Sequence, residues 1–174
     1  QKWPGCRILY IGSAQGIEKE IVTRQEIPFD SIHINHGINR SHIVSSVLSA
    51  CHSVPASFLE ARAKLKAFRP DAVIGTGGYV SFPVVSAAEW LRIPAFIHEQ
   101  NAWPGVTNRL LAKKAAAAML TFDEARAHLK ARRVVLTGLP VRPEILQADR
   151  QAGRTFLQLT DAFTLLIFGG SLGA

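Results

Sequence analysis

Apolar residues fall along the chain in short runs separated by longer mixed stretches. Runs at 7–11, 31–34, 72–74, 95–98, 118–122, 134–137 and 164–168 are β-branched or aromatic and mostly apolar throughout. Buried parallel strands, covered on both faces, read this way. Helical spacing fills the gaps. Residues 15–25 carry Ile17, Ile21 and Val22 on one side. Ser57 and Glu60 have the S-x-x-E spacing of a capping box, which predicts a helix opening there and running through Lys66. Arg69-Pro70-Asp71 then breaks it. The apolar stretch 83–91 predicts a further helix, stopped before Pro94. Pro104 suits the first position of a helix reaching about Lys114. Asp123 can cap the helix that holds Leu129.

Strands alternating with helices predict an α/β fold with a doubly wound, Rossmann-like parallel sheet. Residues 142–162 are more polar and lack a strand, so they read as a helix-containing linker. The expected organisation is a domain over 1–141, a linker over 142–162, and the opening strand and glycine turn of a second domain over 163–174. The chain shows no internal repeat and no low-complexity segment.

Composition narrows the class. Of 174 residues, 48% are hydrophobic and 19% charged, which suits a packed globular domain rather than a disordered chain. The net charge of +7 favours anionic partners: nucleic acid, an acidic membrane surface or phosphorylated substrates. Cys6 and Cys51 are too few for a disulfide framework, and a reducing compartment fits them best. No apolar run approaches the roughly 20 residues of a membrane-spanning helix. The chain starts at QKWPG, without Met or a leader pattern, and ends on GGSLGA directly after an expected strand. The expectation is a piece of a larger protein, cut at both ends.

In doubly wound sheets ligands gather at the carboxyl ends of the strands, and the unusual residues stand there. Gly75-Thr76-Gly77-Gly78-Tyr79-Val80-Ser81 follows the strand at 72–74. Its glycines suit either a plain strand-to-helix turn or the close approach of a ligand, and the Tyr79 hydroxyl suits a sugar or phosphate. His98-Glu99-Gln100-Asn101 closes the next strand, with Asn108 seven residues after Asn101. Four consecutive hydrogen-bonding side chains are costly to bury unless something pairs them. Sugar hydroxyls need both donors and acceptors, which this set supplies. For His98 and Gln100, satisfaction of loop backbone is an equal reading. Thr137-Gly138-Leu139-Pro140-Val141-Arg142 offers an Arg able to grip phosphate. Gly169-Gly170-Ser171-Leu172-Gly173-Ala174 is a second glycine turn after a strand. The histidines at 33, 36, 42, 52 and 128 show no metal-ligand spacing. No D-x-D pair, P-loop or G-x-S-x-G elbow is present. Neither metal nor organic cofactor is expected.

The runs GTGGYVS at 75–81, HEQNAWPGVTN at 98–108, TGLPVR at 137–142 and FGGSLGA at 168–174 resemble the MurG family of glycosyltransferases. The likeness extends back to LYIGSAQGIEKEIV at 9–22 and so covers nearly the whole chain. HEQN followed by P-G-x-x-N carries most of its specificity. Such enzymes have two doubly wound domains of GT-B type. The resemblance implies that this chain is the acceptor-binding N-terminal half, lacking the family's first strand and glycine loop.

The implied activity of the intact protein is an inverting transfer of N-acetylglucosamine from UDP-GlcNAc to the C4 hydroxyl of MurNAc in lipid I. The product is lipid II, for peptidoglycan and cell-wall biogenesis. The implied acceptor-binding residues are Gly77, Gly78, Tyr79, Ser81 and Glu99. The implied donor-binding residues are Asn101, Asn108, Arg142 and Ser171. Glu99 is the best base visible in the chain, with acceptor positioning an equal role. Phe82 stands where the family commonly has Gly, and Leu139 where it commonly has Asn. The implied location is the cytoplasmic face of the cell membrane, held peripherally on anionic phospholipid. The expected dock is residues 38–66, with Ile43, Val44, Val47, Leu48, Phe58 and Leu59 flanked by Arg40, Arg62, Lys64 and Lys66. A buried helix face with solvated rims accounts for that segment equally well. The alternative function is a non-catalytic acceptor-binding subunit of a split glycosyltransferase. Nucleic-acid binding ranks last, because no basic helix with aromatic platforms is present.

Overall fold

The computed structural model describes residues 5–14, 16, 18–34, 43–160, 162–165 and 167, and only the backbone of 43–54. Strands β1 (Tyr10–Ser13) and β2 (Phe29–Ile32) pair in parallel, joined by helix α1 (Glu18–Arg24). Helix α2 (Ile43–Phe68) leads to β3 (Val73–Gly75), and α3 (Gly78–Trp90) to β4 (Ala95–Glu99). Helix α4 (Val106–Leu111) leads to β5 (Ala117–Leu120), and a 3₁₀ helix (Asp123–His128) to β6 (Val134–Leu136). The last four strands form a parallel sheet in the order β3-β4-β5-β6. The parallel α/β architecture is the expected one, laid out among the described residues as two ladders.

Strand β4 is the most deeply buried of these, and its Ile97 is fully enclosed. Val85, Ala87 and Ala88 of α3 and Ala61 and Leu65 of α2 join Ile97 and Leu120 in one core. Helix α3 packs against α2 on one side and against β3 and β4 on the other. At Gly75 an added β-carbon would meet Val85 Cγ2 at 2.6 Å, so a glycine lets α3 lie close on β3.

The chain divides into two compact units, Gln1–Leu139 and Pro140–Ala174. The second holds the short helices α5 (Pro143–Leu146) and α6 (Arg150–Phe156), neither of which buries a residue. Asp149 caps α6, accepting from the Ala152 N–H at 2.8 Å.

Several local expectations are corrected. Ser57 and Glu60 do not open a helix, because α2 starts at Ile43 and runs through Pro55 and past them. Instead they clamp the end of β2. Ser57 Oγ donates to the His33 carbonyl at 2.6 Å, and Glu60 Oε2 accepts from the His33 N–H at 2.9 Å. The pair serves backbone groups as a capping box does, but those of a distant strand. Pro104 precedes the cap residue Gly105 rather than opening α4. Asp123 caps nothing with its side chain and pairs with Arg126. Residues 164, 165 and 167 are not in a strand, and Leu165 and Ile167 are exposed. Strand conformation depends on a neighbour that completes the ladder, and no strand among the described residues pairs with these.

Candidate functional site

The carboxyl ends of β3 and β4 bring two of the sequence clusters together. After β3, Gly77 and Gly78 take left-handed backbone angles, φ +89° and +77°, and α3 starts at once. Residues with a β-carbon rarely adopt these angles. Ser81 Oγ turns back and donates to the Gly77 carbonyl at 2.5 Å. Tyr79 is 66% exposed. A β-carbon on Gly77 would lie 3.4 Å from Asn108 Nδ2, so the glycine turn and α4 touch at this point.

Glu99 is the centre of the second cluster and only 1% exposed. Its Oε1 accepts from the Asn101 N–H at 2.9 Å and from Asn101 Nδ2 at 3.0 Å. Its Oε2 accepts from the Gly105 N–H at 3.0 Å and from Asn108 Nδ2 at 2.9 Å. Burial by itself would raise the carboxyl's pKa. The hydrogen bonds from Asn101, Asn108 and Gly105 outweigh that, and hold it below the ordinary glutamate value. This carboxylate is enclosed, and all four of its hydrogen bonds favour the charged form. It shapes the loop between β4 and α4.

Asn108 is buried at the same place. Its Nδ2 donates to Glu99 and to the His98 carbonyl at 3.2 Å. Both partners are pure acceptors, which fixes the orientation of the amide. Its Oδ1 is buried and has no hydrogen-bond partner among the described residues. Asn101 is exposed at the surface of the loop.

His98 and Gln100, left open by the sequence, engage the chain itself. His98 Nε2 lies 3.0 Å from the Gly138 carbonyl, and Gln100 Nε2 lies 3.0 Å from His98 Nδ1. The turn at Thr137-Gly138 is also held by β5, whose Leu120 carbonyl accepts from the Thr137 and Gly138 N–H groups at 2.9 and 3.1 Å. Gly138 has φ +72°. Arg142 stands before α5 in the second unit, and Ser171 lies outside the described residues. Backbone groups of Gly105 and Gly138 were not legible as members of the cluster, since glycine carries no side-chain signal. Trp103 and His128, also unassigned by sequence, pack with ring centroids 4.0 Å apart and their planes tilted by 46°.

Both the sequence and the fold find counterparts in known proteins. The glycosyltransferase family 28 N-terminal domain matches residues 3–120, and the chain belongs to that family. The particular enzymes it resembles are named UDP-N-acetylglucosamine--N-acetylmuramyl-(pentapeptide) pyrophosphoryl-undecaprenol N-acetylglucosamine transferase. That of Desulforudis audaxviator (strain MP104C) is 45% identical over 179 residues, covering 100% of this chain and 47% of the relative. That of Bacillus subtilis (strain 168) is 41% identical over 177 residues, covering 100% and 48%. A crystal structure of Acinetobacter baumannii MurG superposes with a TM-score of 0.64 at 31% identity, over 80% of this chain and 38% of that one. The chain thus spans about half the length of the curated relatives it matches.

Proposed function

We propose that the full-length protein transfers N-acetylglucosamine from UDP-GlcNAc to the C4 hydroxyl of MurNAc in lipid I, with inversion. The hydroxyl oxygen bonds to the anomeric carbon, UDP leaves with the bonding electron pair, and the hydroxyl proton passes to a base. The observation that carries this reading is the braced Glu99–Asn108 loop beside the Gly77–Gly78 turn, inside a family 28 N-terminal domain. In this reading the Gly77–Gly78 turn, Tyr79 and Ser81 form the acceptor side. Asn101, Asn108, Arg142 and Ser171 serve the donor. Glu99 positions Asn101 and Asn108 and takes no proton itself. Fixed donors stabilise charge on the leaving diphosphate without reorganising during the reaction.

The reading extends to the cytoplasmic face of the membrane and to an anionic phospholipid surface. Exposed Leu59 and Trp90 support it, with the Arg62 guanidinium 4.5 Å from the Trp90 ring centroid and Lys66 further along α2. Of the expected dock, residues 38–42 and the side chains of 43–54 lie outside the described residues. Phe58 packs on the core, and Lys64 pairs with Asp30 at 2.7 Å. No helix among the described residues is long and apolar enough to cross a membrane.

The test is transfer of radiolabelled N-acetylglucosamine from UDP-GlcNAc to a soluble lipid I analogue by the full-length protein. Turnover of roughly 1 per second or more is expected, and none from the 174-residue chain alone. A folded full-length protein that transfers nothing overturns the proposal and leaves the acceptor-binding subunit in its place.

A further inference from the structure

We infer that His98 is a positioning residue, held in its Nε2–H tautomer, that ties the Thr137–Gly138 turn to the loop that carries Asn101. Gln100 sets the tautomer. Its Nε2 donates to the His98 carbonyl at 3.2 Å, which turns the NH₂ end of the amide toward the ring. The ring atom facing that NH₂ group is Nδ1, at 3.0 Å, so Nδ1 accepts. The neutral ring's single proton then sits on Nε2 and is donated to the Gly138 carbonyl at 3.0 Å. The imidazole thereby spans from β4 across the end of β5 to the turn after β6. The turn has two independent anchors, His98 and the Leu120 carbonyl. Only the first also belongs to the Glu99 cluster, because the His98 carbonyl accepts from Asn108. The ring is buried and holds the backbone at Gly138, and a buried ring is a stiffer spacer than a loop.

The kinetic part of this inference rests on the proposed function, in which Asn101 and Asn108 serve the donor. Two variants of the full-length protein separate the tether from packing. A Gln amide can reach where Nε2 lies, whereas an Asn amide reaches only as far as Nδ1. His98→Gln is expected to keep KM for UDP-GlcNAc within about threefold of wild type, while His98→Asn raises it about tenfold, the cost of one lost hydrogen bond. In both, KM for the lipid I analogue stays within about threefold. Equal effects of the two variants, or a fall in kcat alone, overturn the tether. A measurement on the unmutated protein is independent of variant folding and of activity. Nitrogen-15 histidine spectra at neutral pH are expected to show His98 with a protonated Nε2 and an unprotonated Nδ1. The reverse tautomer, or two protonated nitrogens, overturns the inference. Absence of any transferase activity in wild type would instead defeat the functional reading and leave the tautomer result standing.

Discussion

Asn108 Nδ2 donates to Glu99 Oε2 at 2.9 Å, and both side chains are almost wholly buried. A charged acceptor satisfied inside a protein stabilises it, and the same group replaced by a donor leaves partners unpaired. Glu99→Gln changes one oxygen into an NH₂ that must face N–H groups. We expect it to destabilise the domain by about 3 kcal/mol in urea unfolding at neutral pH. A loss of under about 0.5 kcal/mol, the range of ordinary surface changes, would show that the loop is not braced by this carboxylate.

The same carboxylate sets a pH dependence. Its folded pKa is depressed, since hydrogen bonds outweigh the upward push of burial. Its contribution is therefore complete above the unfolded value, about 4.3, and is lost as pH falls through the folded value. Asp30, lowered chiefly by its hydrogen bond from Lys64, acts in the same direction. The stability gap between wild type and Glu99→Gln should narrow steadily below about pH 4.3. A gap that stays constant down to acid unfolding contradicts this.

Glu89 should behave in the opposite sense. Burial raises its pKa, against the lowering effect of the Lys114 charge, and its Oε1 is buried with no hydrogen-bond partner among the described residues. A raised folded pKa means stability that is intact below the unfolded value and lost as pH rises through the folded one. Glu89→Gln is expected to raise the urea midpoint at pH 7.5 and to leave it unchanged near pH 4. Equal shifts at both pH values would count against burial as the cause.

Gly75→Ala tests the contact between β3 and α3. Its methyl would overlap Val85 Cγ2, and overpacking of this kind costs about 1–3 kcal/mol. Val85→Ala removes the obstructing atom. The double variant should therefore be more stable than the sum of the two single losses implies, by about 1 kcal/mol in a double-mutant cycle. Strict additivity would mean that the backbone moves apart instead.

Tyr79 separates function from stability. It is exposed and lies at the start of α3, so Tyr79→Ala should change stability by no more than about 0.5 kcal/mol. In the full-length protein we expect it to raise KM for the lipid I analogue about tenfold or more, with KM for UDP-GlcNAc little changed. Unaltered kinetics toward both substrates would remove Tyr79 from the acceptor side.

Much of this was legible in the order of residues, and the reason is local chemistry. Short apolar runs such as 95–97 announce parallel strands because both faces must be apolar. Glycines at 77 and 78 announce left-handed turns, since other residues resist those angles. The run from His98 to Asn108 marked the site because polar groups at a strand end need partners. What the sequence left undecided was which partners. Four donors converge on Glu99, two of them backbone or side-chain groups from α4 and its cap, and spacing along the chain named none of them as its partners. Ser57 and Glu60 have capping-box spacing, yet they bond to His33, a residue 24 positions before Ser57. Gln100 and Gly138 fix the proton of His98 from opposite sides. Spacing reports the neighbours along the chain. Hydrogen-bond direction and the state of a buried acid depend on neighbours through space, and those exist only once the strands have paired and the helices have packed.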